Sequence, residues 1–599
     1  MTLSVLNGFV RGVRVDVLHE IARRFARVRS RARANEVWLL ALAISVGLAA
    51  GVTAHFLNRI SVFLHEVLYN LPPPGTLSGQ TRVAPWRLLL WLPFGGALLG
   101  AVTWWWRRKH PNAIVDAVEA NALHGGRMSL RDSLFLSLQT LISNGFGGSV
   151  GLEAAYAQLG SGAGSALGVR LNLRRNDLRI LVGAGAGAAI SAAFGAPLTG
   201  AFYAFELIIG SYTVASIAPV VGAALAGYAA SRWLGGVAHI ADPTASDLGP
   251  KDYIFSAGLG FIAALISVAI MRLVSTLETT VKNRRVPRAL QPVIGAVIAA
   301  LLGIITPAVL SSGHGALEHA LNGAFSPEGA AITFGLKAAA SIVCLGLGFR
   351  GGLFFASLLL GALLGQLYWW GVTTVGAGPA PDLQLAALIG MAALAAGVVG
   401  GPFTMTFLVL ETTGDFGLSG ATLAAALVCT LVVREVFGYS FSTWRLHLRG
   451  ETVRSAHDVG RIRSLTVGRL MRRDPQTAES SITAAEFKRR FPLGSTPRVV
   501  LVDSGRRYSG VVLAPDVYAA ERAAQAPVAE FAKLKGWTLT EDLSVAEAIK
   551  RFDAAGADEL AVVDATGQVV GLLTESYAAR RFAEELEKTR RDLTGEAFA

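Results

Sequence analysis

Long apolar runs separated by short polar stretches dominate the first three quarters of the chain. Ten of them approach the length of about 20 residues that a helix needs to cross a bilayer. They cover residues 37–57, 87–106, 177–204, 214–235, 254–276, 290–312, 331–348, 353–374, 384–410 and 419–438. The pattern predicts a helical protein that crosses the lipid bilayer many times.

Glycine and proline interrupt two of these runs, at Gly195–Pro197 and at Gly400–Pro402. Broken helices at corresponding positions of two halves point to a transport site. "GAPLTGAFYAFEL" from 195 resembles "GGPFTMTFLVLET" from 400, and "GLEAAYAQLGSGAG" from 151 resembles "GLFFASLLLGALLG" from 352, at offsets of 205 and 201 residues. The membrane part is therefore predicted to be a duplicated unit, with repeat 1 over about 37–235 and repeat 2 over about 253–438.

The character of the chain changes after the last apolar run, where charged residues become frequent. A shorter repeat appears there with an offset of 61 residues, in which "VVLVDSGRRYSGVVL" (499–513) matches "LAVVDATGQVVGLLT" (560–574). Each unit has an amphipathic stretch and two apolar runs around a glycine-containing turn, which is typical of a helix and two strands. We expect an α/β pair over 464–586, preceded by a linker at 451–463 and followed by a tail at 587–599.

Charge changes this picture only at the N-terminus. Of the 599 residues 52% are hydrophobic and 16% charged, against about 25% charged in soluble domains. Residues 1–36 hold eight arginines: Arg11, Arg14, Arg23, Arg24, Arg27, Arg29, Arg31 and Arg33. By the positive-inside rule this predicts a cytoplasmic basic arm. Because a membrane span follows the arm at once, we expect no nucleic-acid partner.

The few residues that could carry other chemistry are scattered. Cys344 and Cys429 lie far apart in apolar runs and give no disulfide framework or metal cluster. A membrane-embedded enzyme, such as an intramembrane protease, is an alternative class. The chain has no HExxH motif and no serine, histidine and aspartate cluster to support it. The sequence predicts no enzyme, no metal and no cofactor.

A single glutamate among glycines is the first candidate functional residue. "SNGFGGSVGLEAAYAQLGSGAG" (143–164) puts Glu153 in the first turn of a helix that begins near Gly151, and "FRGGLFFASLLL" predicts a second helix start near Gly352. Helix N-termini expose unpaired N–H groups and a positive partial charge, so they bind anions. Two such ends would hold a permeant anion, and the Glu153 carboxylate could occupy the same position as a gate or proton carrier. The alternative is a capping glutamate in a wet loop.

Other polar residues in apolar surroundings favour structural roles. Glu206 and Glu411 are related by the repeat and follow the broken helix starts, where a carboxylate can accept backbone N–H bonds. Lys337 and Arg350 flank an apolar segment, and we expect them to snorkel or to pair. The "GSGAG" and "GALLG" segments have GxxxG spacing, which predicts close helix packing.

With these residues the chain resembles the CLC family of chloride channels and proton-coupled anion transporters, over about residues 37–450. The C-terminal pair resembles a tandem CBS domain. The resemblance implies an all-α membrane domain of two inverted repeats with broken helices, followed by a cytoplasmic α/β CBS pair. It also implies a homodimer with one pore per subunit and a bacterial inner-membrane protein with both termini in the cytoplasm. Its expected partners are small inorganic anions and protons.

The resemblance carries over to individual positions. "GLEAA" stands where the family has a glycine, a basic residue, a glutamate, a glycine and a proline, so Glu153 takes the position of the external gating glutamate. The resemblance implies anion contacts at Asn112, Ala113, Gly151, Leu152, Leu353, Phe354, Phe355 and Ser442.

Three positions depart from the family pattern. Asn112, in "HPNAIVDAV", stands in place of an inner serine. Leu207 stands where proton-coupled members often have an inner glutamate, which favours a channel or a weakly coupled transporter. The inner-gate tyrosine aligns with Ser442, with Tyr439 and Phe441 nearby, so the identity of the inner gate stays open among these three.

The CBS-like pair has incomplete nucleotide motifs. Nucleotide-binding members use a serine or threonine and, three residues later, an aspartate that contacts ribose. "GVVLAPD" keeps Asp516 but has Leu513, and "GLLTESY" keeps Thr574 but has Tyr577. We expect a structural contact between dimer partners, with an adenine-nucleotide site as the alternative.

The sequence therefore predicts an anion channel of the voltage-gated chloride channel type, or a weakly proton-coupled chloride transporter, gated by Glu153. The alternative within transport is a proton/anion antiporter for fluoride or another small anion. A ligand sensor built on the CBS-like pair is a further alternative, against which the incomplete motifs argue.

Overall fold

The computed structural model describes most of the chain in two compact units, residues 1–458 and 459–599, each with its own hydrophobic core. The described residues are 36–73, 75–110, 113–236, 248–284, 286–376, 381–448, 465–519 and 525–594. The predicted basic arm, except for its last residue, and the predicted linker lie outside them.

Within the described residues the first unit is helical. Its helices are α1 Glu36–Tyr69, α2 Pro85–Lys109, α3 Ala117–Leu123, α4 Leu130–Gly145, α5 Glu153–Arg170, α6 Arg175–Phe194, α7 Pro197–Tyr203, α8 Val214–Trp233, α9 Pro250–Asn283, α10 Gln291–Ile305, α11 His314–Leu321, α12 Pro327–Gly346, α13 Phe354–Val375, α14 Leu383–Val399, α15 Pro402–Thr413, α16 Phe416–Val436 and α17 Phe441–His447. A π-helical turn, Ala204–Ile209, continues α7. Eight helices in the described part of this unit are long and apolar enough to cross a membrane.

The helices repeat in order, which confirms the predicted duplication. Helices α1 to α8 correspond to α9 to α16, and each half opens with a helix of 34 residues. The halves meet at Gly151 and Gly352, where each backbone N–H donates to the other residue's carbonyl, at 3.0 and 3.2 Å. This bridge is antiparallel, so the chain enters α5 and α13 from opposite directions, as inverted repeats require.

The broken helices form where glycine and proline interrupt the apolar runs. Gly195 and Gly400 end α6 and α14 with positive φ angles of 67° and 90°, a conformation that side chains disfavour. Pro197 and Pro402 then occupy the first position of α7 and α15, where a missing N–H costs nothing. Each of these two apolar runs is therefore a long helix followed by a short one.

Glycines bring helix backbones into direct contact in both halves. A methyl group on Gly160 of α5 would lie 2.1 Å from the carbonyl oxygen of Gly185 on α6. A methyl group on Gly365 of α13 would lie 2.0 Å from the carbonyl oxygen of Ala386 on α14. These glycines belong to the two GxxxG segments, and the structure agrees with the packing role that their spacing predicts.

The second unit contains two copies of one α/β motif. Its elements are α18 Val467–Leu470, β1 Thr477–Glu479, α19 Ala484–Arg490, β2 Arg498–Val502, β3 Tyr508–Leu513, α20 Ala514–Ala519, β4 Thr538–Thr540, α21 Val545–Ala555, β5 Glu559–Val563, β6 Val569–Thr574 and α22 Glu575–Thr594. In each three-stranded sheet the first pair of strands is parallel and the second antiparallel. Helix α22 continues past residue 586, into the predicted tail.

The two copies exchange their leading segments. Val467 packs into the core of the second sheet, whereas its repeat partner Val528 packs into the core of the first. The backbone of Arg472 likewise pairs with Leu572 on β6. Because each copy completes the core of the other, the sequence repeat does not correspond to two separable lobes.

Candidate functional site

Glu153 joins the N-termini of two helices from different halves. It is the first residue of α5 and is only 4% exposed. One oxygen of its carboxylate, Oε1, accepts a hydrogen bond of 3.2 Å from the backbone N–H of Phe355, in the first turn of α13. The carboxylate therefore lies where the unpaired N–H groups and the dipole of α13 favour an anion.

Two glycines leave the space that this carboxylate occupies. A methyl group on Gly151 would lie 1.9 Å from Oε2, and one on Gly352 would lie 2.7 Å from Oε1. Only glycine at both positions lets the carboxylate rest against the bridge between the halves. Oε2 of Glu153 is buried and has no hydrogen-bond partner in the described part of the chain. An unpaired buried carboxylate oxygen is costly.

The buried starts of α5 and α13 are built from large apolar residues. Leu152 and Leu353 occupy the N-cap positions, and both are 3% exposed. The rings of Phe354 and Phe355 lie 4.7 and 4.6 Å from the ring of Phe194, between centroids. This aromatic packing fixes the direction in which the N–H groups of α13 point.

A cavity of about 320 Å³ reaches the two helix starts from one side of the membrane unit. Leu152 and Phe355 form part of its wall, and Arg59, in the second half of α1, lines it as well. The imidazole of His314 lies 3.5 Å from the ring of Phe355, between centroids. A small anion in this cavity would lie beside a basic side chain and next to the residues that start α5 and α13.

Lys337 on α12 is a buried basic residue of this region, so the expectation that it could snorkel to the membrane interface was wrong, whereas its interaction with Glu153 agrees with the expected pairing. Its side chain is fully buried, at 0% exposure. The ammonium donates to the carbonyl oxygens of Val309 and Ser311, at 3.2 and 2.9 Å, and interacts electrostatically with Glu153. The sequence signal that could have identified Lys337 as a buried residue is its position inside an apolar run of spanning length. An ionisable side chain at membrane depth is costly and therefore usually has a functional role.

Glu206 and Glu411 cap helices of the opposite half. Glu206 accepts hydrogen bonds from the N–H groups of Phe403 and Thr404 and from the Thr404 hydroxyl, at 3.0, 2.8 and 2.6 Å. Glu411 accepts the corresponding bonds from Leu198 and Thr199, at 2.7, 2.8 and 2.8 Å. The two carboxylates thus stabilise the starts of α15 and α7 and tie the halves together.

The other predicted residues lie away from this arrangement or outside the described chain. Asn112 is outside the described residues, and Ala113 is exposed. Leu207 lies in the π-helical turn and packs in an apolar cluster with residues of α3. The structure shows no acidic side chain at this position.

The three candidates for an inner gate lie at or next to α17. Ser442 is exposed, and Phe441 is buried in the hydrophobic core. The Tyr439 hydroxyl is 3.2 Å from Nδ1 of His447, and the two rings stack. The choice among the three stays a prediction.

The candidate nucleotide residues of the second unit lie at the ends of strands. Asp516, after β3, forms an ion pair of 2.7 Å with Lys533, and Thr574 is the last residue of β6. In the turn before β6, the Thr566 hydroxyl and backbone N–H groups donate to Asp564 and hold the pKa of its carboxyl below the usual value. These contacts shape the turns of the pair, and a nucleotide contact at Asp516 or Thr574 stays a prediction.

Metal-binding chemistry finds no support in the side chains that the structure describes. Among them no group of three or more histidine, cysteine, aspartate or glutamate residues could hold a metal ion. Cys344 and Cys429 are buried free thiols.

Models of known families match both parts of the chain. The voltage gated chloride channel family model matches residues 95–434, and the CBS domain model matches residues 532–584. The voltage-gated ClC-type chloride channel ClcB of Citrobacter koseri is 28% identical over 407 residues, which are 66% of this chain and 96% of the relative. The putative chloride channel protein ClcB-like of Ralstonia nicotianae is 30% identical over 373 residues, 61% of this chain and 84% of the relative.

Solved structures share the fold at lower identity. A slow cyanobacterial Cl⁻/H⁺ antiporter superposes with a TM-score of 0.59 at 20% identity, over 69% of this chain and 97% of that one. A CLC-type fluoride/proton antiporter gives 0.56 at 21% identity, over 66% and 95%. A eukaryotic CLC transporter gives 0.57 at 18% identity and extends the match to 90% of this chain and 97% of that one.

Proposed function

Because the chain belongs to the voltage-gated chloride channel (CLC) family, with a C-terminal CBS domain, we propose that it is a chloride channel or a weakly proton-coupled chloride transporter gated by Glu153. The observation that carries this proposal is the hydrogen bond between the Phe355 N–H and the Glu153 carboxylate. A negative group already occupies the meeting point of two helix N-termini, so a small anion can take its place when the side chain leaves.

The binding groups suit an ion that must also depart. Backbone N–H groups and helix dipoles attract an anion without holding it as tightly as a full positive charge in direct contact would. An ionised Glu153 competes with the anion for the Phe355 N–H, whereas a protonated Glu153 does not. Proton concentration on the side of the cavity is therefore expected to control access.

The setting of this site follows from family and composition. The chain is an integral membrane protein, and its curated relatives named above are bacterial. We propose a homodimer with a separate pore in each subunit, in the bacterial inner membrane. The arginine-rich N-terminus favours a cytoplasmic N-terminal arm by the positive-inside rule.

The second candidate is a proton/anion antiporter for chloride, fluoride or another small anion. Two structures with the same fold are described as a Cl⁻/H⁺ antiporter and a fluoride/proton antiporter. A glutamate that exchanges with the anion can carry a proton as well, which supports this candidate. Leu207, which stands in place of an inner acid, instead supports the channel or weakly coupled transporter.

The CBS pair is proposed to make a structural contact between dimer partners. Asp516 already pairs with Lys533, which argues against a ribose contact at Asp516. The alternative is an adenine-nucleotide site that uses Asp516 and Thr574.

Flux measurements in liposomes test the proposal. Chloride efflux and internal pH are recorded together for the unmodified protein, for Glu153→Gln and for the matched control Glu328→Gln. Glu328 is also a first-turn helix glutamate, but it is exposed. In the unmodified protein and in the control, we expect acid to stimulate chloride efflux. In Glu153→Gln, we expect chloride efflux that does not depend on pH. An absence of flux for chloride, fluoride and nitrate alike would refute the proposal.

A further inference from the structure

Leu207 leaves the inner side of the membrane unit without the acid that a proton route needs, and the structure offers another. We propose that Asp116, reached from Glu153 through the hydroxyl of Tyr203, is the group that exchanges protons with the inner side. This inference rests on the proposed function, because it uses Glu153 as the outer proton carrier.

The end of α2 marks which side is inner. Trp104 and Trp105 are about half exposed, and they lie under the charged groups of Arg108 and Lys109, at 3.8 and 4.6 Å. Aromatic and basic residues together mark a membrane interface, and clustered positive charge marks the cytoplasmic one. Asp116 comes shortly after this helix end. The cavity beside the starts of α5 and α13 is lined by the second half of α1 and by the loop that follows it, which is the opposite side.

Tyr203 lies between the anion site and the start of α3. It is the last residue of α7, immediately before the π-helical turn, a type of irregularity frequent at functional sites. Its ring lies 6.3 Å from that of Phe354, between centroids, and it also packs in the cluster that contains Ala117 and Val118. Its hydroxyl interacts electrostatically with both Glu153 and Asp116.

The Tyr203 hydroxyl is available to such a route. Across the described ranges of the chain it makes no hydrogen bond to another side chain or to the backbone. A hydroxyl can donate one proton and accept another, so it can pass a proton without changing its own charge.

One hydrogen bond ties the segment that carries Asp116 to α5. The side-chain amide of Gln158, on α5, donates to the carbonyl of Val115 at 3.0 Å. Along α5, Gln158 is roughly 7.5 Å from Glu153 at a rise of about 1.5 Å per residue. The residue before Asp116 therefore contacts a side chain of α5 whose backbone lies about one and a half turns from Glu153, on the same side of the site as Tyr203.

Asp116 combines a structural role with a free oxygen. As the N-cap of α3, it accepts a hydrogen bond of 2.8 Å from the N–H of Glu119 with Oδ1. Its second oxygen, Oδ2, makes no hydrogen bond within the described residues and can take a proton. Glu119 and His124 are the other titratable groups on this helix, 3.9 Å apart, so Glu119 is the competing acid that the test must separate.

The proton transfer balances without a further reactant. The O–H bond of protonated Glu153 breaks, and its proton passes to the Tyr203 hydroxyl, directly or through water. The original Tyr203 proton passes to Oδ2 of Asp116, so Tyr203 stays neutral and Glu153 becomes a carboxylate. Asp116 then releases its proton to water on the inner side, while an anion moves in the other direction.

Paired flux measurements on the full chain in liposomes test this route. Asp116→Asn keeps the helix cap, because asparagine caps as well as aspartate, and removes the titrating group. Tyr203→Phe removes only the hydroxyl, and Glu119→Gln is the matched control. A chloride gradient should drive protons in the unmodified protein and in the control. The ratio of protons to chloride should fall on the order of tenfold or more in both Asp116→Asn and Tyr203→Phe.

The outcomes separate this inference from the proposed function. Chloride flux without any proton movement in the unmodified protein would overturn the inference and leave the anion path intact. Normal coupling in Asp116→Asn, or loss of coupling in Glu119→Gln alone, would also overturn it. An absence of flux for every anion in all variants would instead refute the proposed function.

Discussion

The reciprocal caps formed by Glu206 and Glu411 lead to a quantitative prediction about stability. Glu411→Gln keeps the size of the side chain but replaces a carboxylate that accepts three hydrogen bonds, two of them from backbone N–H groups at the start of α7. A bond to a charged group contributes about 1.5–3 kcal/mol and one between neutral groups about 1 kcal/mol. The amide oxygen of glutamine can retain about two bonds of the neutral kind. Three bonds of 1.5–3 kcal/mol less two of about 1 kcal/mol give an expected loss of about 2.5 kcal/mol at the lower end of the range and about 7 kcal/mol at the upper end.

A smaller change at the same cap provides the internal scale. Thr199→Val removes only the hydroxyl bond to Glu411 and should cost about 1.5–3 kcal/mol, the lower end being favoured because the two backbone bonds remain. The repeat provides a replicate, since Glu206→Gln and Thr404→Val make the corresponding changes at α15.

Thermal unfolding in detergent, followed by tryptophan fluorescence, measures these effects. The apparent Tm should fall most in the two glutamine variants and less in Thr199→Val and Thr404→Val, while proton and chloride fluxes of the folded fraction keep their ratio. A glutamine variant as stable as the unmodified protein would refute the capping role. A changed flux ratio with unchanged Tm would show that these carboxylates lie on the ion path.

Two further predictions concern packing and charge. Gly365→Ala forces a methyl group against the carbonyl of Ala386 and should destabilise the protein by about 1–3 kcal/mol, whereas Gly371→Ala on the same helix meets no atom within 4 Å and should stabilise it slightly. Thermal unfolding of the two variants checks this, and equal Tm values would contradict it. Lys337→Met, made in the Glu153→Gln background, should weaken chloride binding by about tenfold, or ~1.4 kcal/mol, because a buried positive charge is lost near the anion. Isothermal titration measures the affinity for chloride, and Lys337→Arg should retain more of this affinity than Lys337→Met. Equal affinities with Met and with Lys at position 337 would refute an electrostatic role.

Much of the architecture could be predicted because repeats and breaks leave direct traces in sequence. Pro197 and Pro402 mark the starts of helices, because proline is favoured at the first helical position. The glycines before them mark the ends of the preceding helices. Glu153 stood out because an ionisable residue at membrane depth needs a reason. The inverted relation of the halves became visible only when Gly151 and Gly352 paired in space, since an offset along a chain carries no direction.

The parts that escaped prediction depend on contacts between distant segments. The burial of Lys337 is decided by the carbonyls of Val309 and Ser311, which no spacing rule connects to α12. Helices α3, α4 and α11 are too short or too polar to be recognised as apolar runs. The exchange of segments in the CBS pair is likewise set by packing, because Val467 and Val528 look equivalent in sequence but fill each other's cores.

The most direct test of the anion site is to locate a bound anion. Crystals of Glu153→Gln soaked in bromide would be measured at the bromine absorption edge, with crystals of the unmodified protein as the reference. An anomalous peak within hydrogen-bond distance of the Phe355 N–H, occupying the position of the Glu153 carboxylate, is the predicted result. A well-ordered Glu153→Gln structure with bromide bound elsewhere and none at the N-termini of α5 and α13 would contradict the account.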